Sequence, residues 1–361
     1  MSENIYNRLA QVLDTLPNGF PATESGVEVQ LLKKIFTPEQ ADLFCDLRLT
    51  FEGVADIAGR TGRPLDGLEE KLVAMANLGQ VFMITLGSDR FFRMLPWVFG
   101  IYEFQKDRMD REFAELSEKY WPAFGKQFFS QKPQLMQTLA IEETIPGHQV
   151  ALSYEKVSSI IENGQSFLAA ECVCKKEQGL LGHPCTKPTG VCLAVAPVPG
   201  VFDDSPTGRV LTRQEAYGLL KETEAAGLVH LTGNIQVGQI YICNCCSCCC
   251  GVLRAINHLG IPASSVINSH YYAVIDREAC TGCGICSEER CQVGAIEEAG
   301  DTYNIIPDRC IGCGLCISTC PVGAVTLVHR GQGESEAPPF TEDDWFTERG
   351  LRRGVDFSAY K

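Results

Sequence analysis

Two cysteine runs near the end of the 361-residue chain limit its fold more than any other feature. They begin Cys280-Thr281-Gly282-Cys283-Gly284-Ile285-Cys286 and, 30 residues later, Cys310-Ile311-Gly312-Cys313-Gly314-Leu315-Cys316. Each is followed by a fourth cysteine, then Val-Gly-Ala and an apolar residue. Such a repeat predicts a module with pseudo-two-fold symmetry. Three thiolates on one tight loop can cap three irons of a cubane cluster, while the glycines bring backbone N–H groups close to its sulfurs.

The second run, Cys310 to Cys320-Pro321, has the spacing C-x2-C-x2-C-x3-C-P and resembles bacterial two-cluster ferredoxins. The resemblance implies two 4Fe–4S clusters, with the fourth cysteine of each run binding the other cluster. The expected ligand sets are Cys280, Cys283, Cys286 and Cys320 for one cluster, and Cys310, Cys313, Cys316 and Cys291 for the other.

The first run departs from this pattern. Four residues, Ser287 to Arg290, separate Cys286 from Cys291, and Gln292 stands where proline is expected. We expect Cys291 to remain a ligand in a loop of altered shape. A pair of zinc sites is the alternative, because zinc also takes four thiolates, but the interleaved copies and the proline disfavour it.

Ten more cysteines lie in the middle of the chain. They are Cys172, Cys174, Cys185 and Cys192, and then Cys243, Cys245, Cys246, Cys248, Cys249 and Cys250. Adjacent residues of a strand point to opposite sides, so one cluster cannot use all six of the second group. A helix at Arg213–Ala226, capped by Thr212 and stopped by Gly227, and a strand at Leu228–Leu231 are predicted between the groups. We expect an α/β domain holding at least one further iron–sulfur cluster, with zinc as the alternative.

This middle stretch resembles a family of ferredoxin-like proteins in anaerobic bacteria and archaea. The resemblance lies in residues 154–161, the Cys172-Val173-Cys174 pair, Gly-Leu-Val-His at 227–230, and Ile242-Cys243-Asn244-Cys245-Cys246. It implies electron transfer with partners that are mostly unassigned.

Residues 27–95 predict three helices followed by a hairpin, an order that resembles a winged helix-turn-helix domain. Thr37-Pro38-Glu39-Gln40 is a capping box with proline at the first helical position. The segment holds eight Lys/Arg and ten Asp/Glu, whereas a protein that binds the major groove needs a basic surface. A docking or scaffold domain is therefore favoured over DNA binding. Cys45, between apolar residues, is expected to be a core thiol rather than a ligand.

The expected fold class is multidomain α+β, divided into five segments. They are a winged-helix-like domain (1–98), an aromatic-rich helical connector (99–150), an α/β cysteine-rich domain (151–265), a two-cluster ferredoxin-like domain (266–330) and a flexible tail (331–361). For the connector, packing between domains and a partner surface both stay open. In the tail, Trp345 and Phe346 are expected to fold back onto a domain or to contact a partner.

Composition narrows the function. The formal net charge is −14, which disfavours nucleic acid and anionic membranes, and no apolar run is long enough to span a bilayer. With no secretory signal, the predicted location is a reducing, anaerobic cytoplasm. We predict an electron carrier, or the electron-input subunit of an anaerobic oxidoreductase, with redox proteins as partners. No catalytic residues are identified. The alternatives are a cluster-sensing transcription regulator and an enzyme whose middle cluster has an open iron.

Overall fold

The computed structural model describes residues 2–147, 149, 151–203, 205, 207–331 and 335–361. The chain divides into two compact units, Met1–Phe128 with Phe346–Lys361, and Phe129–Trp345. The boundary falls within the segment expected to be a connector. Among the described residues, no helix is both long enough and apolar enough to cross a membrane.

The first unit consists of helices around a small three-stranded sheet. Its elements are α1 (Ser2–Thr15), α2 (Val27–Ile35), α3 (Pro38–Phe44), β1 (Glu52–Gly53), α4 (Val54–Thr61), α5 (Leu68–Asn77), β2 (Val81–Leu86), β3 (Asp89–Met94), α6 (Tyr102–Phe104) and α7 (Arg111–Phe129). The capping box predicted for α3 is present, with Thr37 accepting from the backbone N–H of Gln40. Glu52 and Gly53 pair with β3 before α4 begins. The sheet order is β1-β3-β2. The winged-helix assignment stays a prediction.

Several aromatic residues of the expected connector lie in the core of this unit. The Phe20 ring lies 5.2 Å from that of Trp97 and 4.9 Å from that of Tyr120. On α7, the rings of Phe124 and Phe128 stack at 4.9 Å, as side chains four residues apart on a helix can. These rings are buried within the first unit, and packing between domains and a partner surface both stay predictions for the connector.

The second unit begins with a seven-stranded sheet. Its elements are β4 (Met136–Thr138), α8 (Val157–Asn163), β5 (Ser166–Ala170), α9 (Val173–Leu180), β6 (Cys192–Ala196), β7 (Arg209–Leu211), α10 (Arg213–Ala225), β8 (Val229–Gly233), β9 (Tyr241–Cys245), α11 (Gly251–Asn257), α12 (Ala263–Val266) and β10 (Ile267–Asn268). The strand order is β10-β4-β8-β9-β6-β5-β7, antiparallel except for the pair β10–β4. As predicted, α10 is capped by Thr212 and followed by Gly227 in the left-handed conformation. Strand β8 begins one residue after the predicted start.

Four strands frame the two cysteine runs. They are β11 (Tyr271–Ile275), β12 (Ile296–Ala299), β13 (Thr302–Ile305) and β14 (Val325–His329). Strand β11 leads into the first run and pairs with β14, which follows the second run. Conversely, β12 follows the first run and pairs with β13, which leads into the second. The end of each run is thus held beside the start of the other, which is the predicted pseudo-symmetry.

The tail contains a last helix, α13 (Glu342–Arg353). The indole of Trp345 is buried and donates to the carbonyl oxygen of Gln134 at 2.8 Å. Residues 342–353 of the expected flexible tail thus form a helix, and Trp345 contacts the residues that precede β4. The flexibility of the tail stays a prediction. Within the expected tail, residues 332–334 lie outside the described residues.

Candidate metal centres

The eight cysteines of the two runs surround two cavities. One is lined by Cys291, Cys310, Cys313 and Cys316 together with apolar side chains. The other is lined by Cys280, Cys283, Cys286 and Cys320. Each cavity therefore takes three cysteines from one run and the fourth from the other, because the strand pairing brings the runs together in this way. These are the two sets that the sequence predicts as ligands.

Backbone N–H groups around the cavities donate hydrogen bonds to cysteine sulfur atoms. The N–H groups of Ala273, Ala295 and Ala324 donate to the Sγ atoms of Cys310, Cys291 and Cys320, at 3.3, 3.1 and 3.3 Å. Hydrogen bonds of this kind stabilise thiolates and tune the potential of a cluster.

The equivalent glycines of the two repeats are required by close backbone approaches. Gly282 and Gly312 have φ of 67° and 62°, and an added Cβ would lie 2.3 Å from the Asp301 carbonyl oxygen and 2.2 Å from that of Tyr271. Any side chain at these positions would therefore collide with backbone that cannot move aside.

Burial raises the pKa values of three thiols in the cavity that Cys291 also lines. It raises the pKa of Cys313 to about 12, and it raises the pKa values of Cys310 and Cys316 above the usual range. Without metal these groups are neutral thiols at pH 7. Iron must displace their protons, because the thiolate is the ligand form. Four thiols around an apolar cavity with N–H···S bonds fit a 4Fe–4S cluster.

The irregular part of the first run contacts the middle domain. Arg290, 7% exposed, donates to the carbonyl oxygens of Glu224 and Ala225 at the end of α10, at 2.8 and 3.0 Å, and to that of Leu315 at 3.2 Å. Gln292, also 7% exposed, accepts a hydrogen bond from the backbone N–H of Ser247 at 3.0 Å. The lengthened spacer, through Arg290, and the position of the expected proline, now Gln292, therefore both contact the middle domain. The sequence signalled both residues as departures from the repeat, but not their partners.

Strand alternation divides the middle cysteines. Cys243 and Cys245 on β9 point to one side of the strand, while Asn244 between them points to the other. Asn244 is buried and bonds the Nδ1 atom of His230 at 2.6 Å and the carbonyl oxygen of Val191 at 2.6 Å. This polar anchor fixes the orientation of both neighbouring thiols.

Six of the middle thiols form a closed ring, which we call the six-thiol group. Its members are Cys172, Cys174, Cys192, Cys243, Cys245 and Cys250. Cys172 hydrogen-bonds Cys174 and Cys192, Cys243 hydrogen-bonds Cys192 and Cys245, and Cys250 hydrogen-bonds Cys174 and Cys245. Each member thus contacts two others, and the ring joins the start of α9, the start of β6 and both ends of the β9–α11 loop.

The other four thiols, which we call the tetrathiol group, are Cys185, Cys246, Cys248 and Cys249. Their Sγ atoms all lie within 4.8 Å of one another. Cys185 therefore does not join Cys172, Cys174 and Cys192, which are its neighbours in sequence. Cys45, in the other unit, is buried, and burial raises its pKa to about 12, as for a core thiol.

Each group contains a thiol that ionises easily. Hydrogen bonds from Cys192 and Cys245 lower the pKa of Cys243 to about 6, and one from Cys249 lowers that of Cys246 to about 6. Burial raises the pKa of Cys248 to about 12. A cation brought to either group would meet at least one thiolate at neutral pH.

Comparison with known proteins agrees with the geometry of the C-terminal module. Residues 266–327 match the family described as 4Fe-4S dicluster domain. "Ferredoxin 7Fe" of Hydrogenibacillus schlegelii is 44% identical over 54 residues, 15% of this chain and 69% of that protein. "Pyruvate synthase subunit PorD" of Methanocaldococcus jannaschii is 39% identical over 75 residues, 19% of this chain and 86% of that protein.

The module is therefore an iron–sulfur electron-transfer domain of the two-cluster type. Through it, the chain belongs to the 4Fe–4S dicluster ferredoxin family, and the prediction of a C-terminal ferredoxin domain is confirmed. The matched residues do not include the middle cysteines or the first unit, so the contents of those regions stay predictions.

Proposed function

We propose that the protein relays electrons through two 4Fe–4S clusters in its ferredoxin module and at least one further cluster in the middle domain. The observation that carries the proposal is the crossed arrangement of eight cysteines around two neighbouring cavities. In this proposal Cys280, Cys283, Cys286 and Cys320 hold one cluster, and Cys291, Cys310, Cys313 and Cys316 hold the other. When bound, the clusters supply one-electron chemistry, and the chain contributes ligation, burial and hydrogen bonds to sulfur.

The further cluster is assigned to the six-thiol group. Six thiols joined in one ring exceed the four that one tetrahedral ion takes, which supports a polynuclear iron–sulfur core over zinc. The N–H groups of Lys175 and Leu253 hydrogen-bond Cys172 and Cys250, an environment similar to that in the ferredoxin module. An enzyme with an open iron at this site remains the alternative, since six thiolates are more than a single cubane needs.

The contact between the two parts of the second unit supplies a route for electrons. Cys291 is followed directly by Gln292, whose side chain meets the backbone of Ser247 in the loop that carries Cys245 to Cys250. One hydrogen bond thus joins the loops of the two regions. We propose that electrons pass between ferredoxin module and middle domain at this point.

The partners are proposed to be redox proteins. The similarity to a subunit named for pyruvate synthase supports a role as the electron-input subunit of an oxidoreductase, and the net charge of −14 suits docking to a basic surface. A freely diffusing carrier has the same chemistry, and co-purification with a catalytic subunit distinguishes the two.

For the first unit we propose a winged-helix-like docking domain rather than a DNA-binding one. The order of α4, α5, β2 and β3, with β1 completing the sheet, supports the comparison. Helix α5 carries Glu69 and Glu70 in its first turn, which repels phosphate. Tight, sequence-selective binding of genomic fragments in a gel-shift titration would instead establish the regulator.

Iron and sulfide counts on anaerobically purified protein, combined with EPR of the reduced form, test the proposal. Two ferredoxin cubanes give about eight irons and about eight sulfides per chain, and a cluster in the six-thiol group adds to both. About eight irons and eight sulfides per chain would contradict a cluster in the middle domain. About four or fewer of each would contradict the two-cluster module.

A further inference from the structure

We infer that the tetrathiol group is a separate site that binds one tetrahedral metal ion, zinc or mononuclear iron, and no iron–sulfur cluster. The inference goes beyond the proposed relay, which within the middle domain needs metal at the six-thiol group only. It begins from the distances between the sulfur atoms.

The spacing of the four thiols is that of ligands around a single ion. Cys185 Sγ lies 3.7 Å from the Sγ atoms of Cys246 and Cys248, Cys246 and Cys248 are 3.3 Å apart, and Cys248 and Cys249 are 3.6 Å apart. A tetrahedral ion with metal–sulfur bonds of about 2.3 Å places its thiolates about 3.8 Å from one another. Only a small expansion is needed for the four to share one ion.

The ferredoxin module provides an internal contrast. There, each set of four thiols lines a cavity that stands between the ligands. In the tetrathiol group the four Sγ atoms instead all lie within 4.8 Å of one another, whereas each member of the six-thiol group contacts only two others. A cubane would have to separate the four atoms of the tetrathiol group widely.

The local sequence resists that separation. Three of the ligands fall within four consecutive residues, Cys246-Ser247-Cys248-Cys249, whereas the ferredoxin runs place two residues between successive ligands. A segment this short favours the placing of its three thiolates around one ion over their separation to three corners of a cubane. It can fold around one ion, with Cys185 from the loop between α9 and β6 closing the coordination.

The ion would also stabilise the contact with the ferredoxin module. Ser247, which donates to Gln292, lies between two of the proposed ligands. Fixing Cys246 and Cys248 on one ion fixes the direction of this N–H group. A closed four-thiolate shell is typical of structural zinc, and mononuclear iron takes the same geometry.

The test measures zinc, iron and acid-labile sulfide per chain in the full-length protein. Every 4Fe–4S cluster adds equal iron and sulfide, whereas a mononuclear ion adds metal alone. We expect total metal to exceed sulfide by about one per chain in the unaltered protein. In Cys248→Ser this excess disappears while sulfide and the EPR signals of the ferredoxin clusters are unchanged. Ser247→Ala, which keeps all four thiols and the loop length, is the matched control and retains the excess.

Each possible result either supports or contradicts the inference. Loss of about four irons and four sulfides in Cys248→Ser would mean that the tetrathiol group holds a cluster. A metal excess of zero in the unaltered protein would also overturn the inference, even if Cys248→Ser fails to fold. X-ray absorption at the edge of the excess metal distinguishes zinc from iron and should give a shell of sulfur alone. Absence of the ferredoxin EPR signals in the unaltered protein would count against the proposed function instead.

Discussion

The ferredoxin module and the middle domain use similar numbers of cysteines in opposite ways. In the ferredoxin module, regular spacing and paired strands hold the thiols apart around two cavities. In the middle domain, irregular spacing brings six thiols into a ring and four into a group whose Sγ atoms all lie within 4.8 Å of one another. The difference teaches that the spacing between ligands, together with their number, decides what kind of metal centre a loop can hold.

The strongest challenge to this comparison is to remove ligands from the ferredoxin module. Cys291→Ser and Cys316→Ser should each eliminate the same cluster and lower the iron count by about four per chain, because both side chains line the same cavity. Cys320→Ser and Cys280→Ser, made separately, should each eliminate the other cluster. EPR spin counts on the reduced variants provide the measurement. If Cys291→Ser and Cys280→Ser lost the same signal, the crossed ligand sets would be wrong.

Next in size is the loss of the arginine that joins the two regions. Arg290→Ala should lower the free energy of unfolding by about 2–3 kcal/mol, since one buried and two part-buried hydrogen bonds to carbonyl oxygens lose their charged donor. Denaturant unfolding of the cluster-loaded protein measures it. Arg277→Ala is the control, because that arginine also bonds a carbonyl oxygen of the module but is exposed. Equal effects of the two substitutions would contradict a special role for Arg290.

A substitution of Gln292 tests the same contact between the two regions, with a smaller expected loss of stability. Gln292→Leu should cost about 1–2 kcal/mol, because it leaves the Ser247 N–H without its acceptor. Electron exchange between the ferredoxin clusters and the middle domain should slow, with iron and sulfide counts unchanged. Gln292→Glu retains an acceptor oxygen and should behave like the unaltered protein. Rapid-mixing reduction followed by freeze-quench EPR compares the three, and identical rates would exclude this contact from the electron route.

The smallest expected effect concerns the polar anchor beneath the six-thiol group. Burial lowers the pKa of His230, so the folded protein keeps it neutral while the unfolded chain takes up a proton below about pH 6.5. Stability supported by neutral His230 is thus present above that pH and is lost as the pH falls. The loss proceeds as the pH falls below about 6.5. Unfolding curves at pH 6.5 and pH 5.5 test this against His230→Gln, whose stability should depend less on pH.

Much of the ferredoxin module could be predicted from the sequence, because the repeated spacing of its cysteines is typical of a known kind of module. The resemblance to two-cluster ferredoxins assigns Cys291 and Cys320 to opposite sets. The middle domain was less predictable, since Cys185 meets Cys246 across 61 residues and only the folded sheet brings them together. Strand alternation predicts that one cluster cannot use all six cysteines of the second group, and the structure places them in two groups. Gln292 was visible as a departure from the repeat, but its partner Ser247 depended on tertiary contact.

The crossed strand pairing also has a consequence for the order of assembly. During synthesis, a ribosome that has produced the whole first run has still not produced a complete binding site, because Cys310 to Cys320 have yet to emerge. The site that includes Cys291 becomes complete at Cys316, and its neighbour only four residues later, at Cys320. Both clusters must therefore be inserted late and almost together, after the middle domain has left the ribosome.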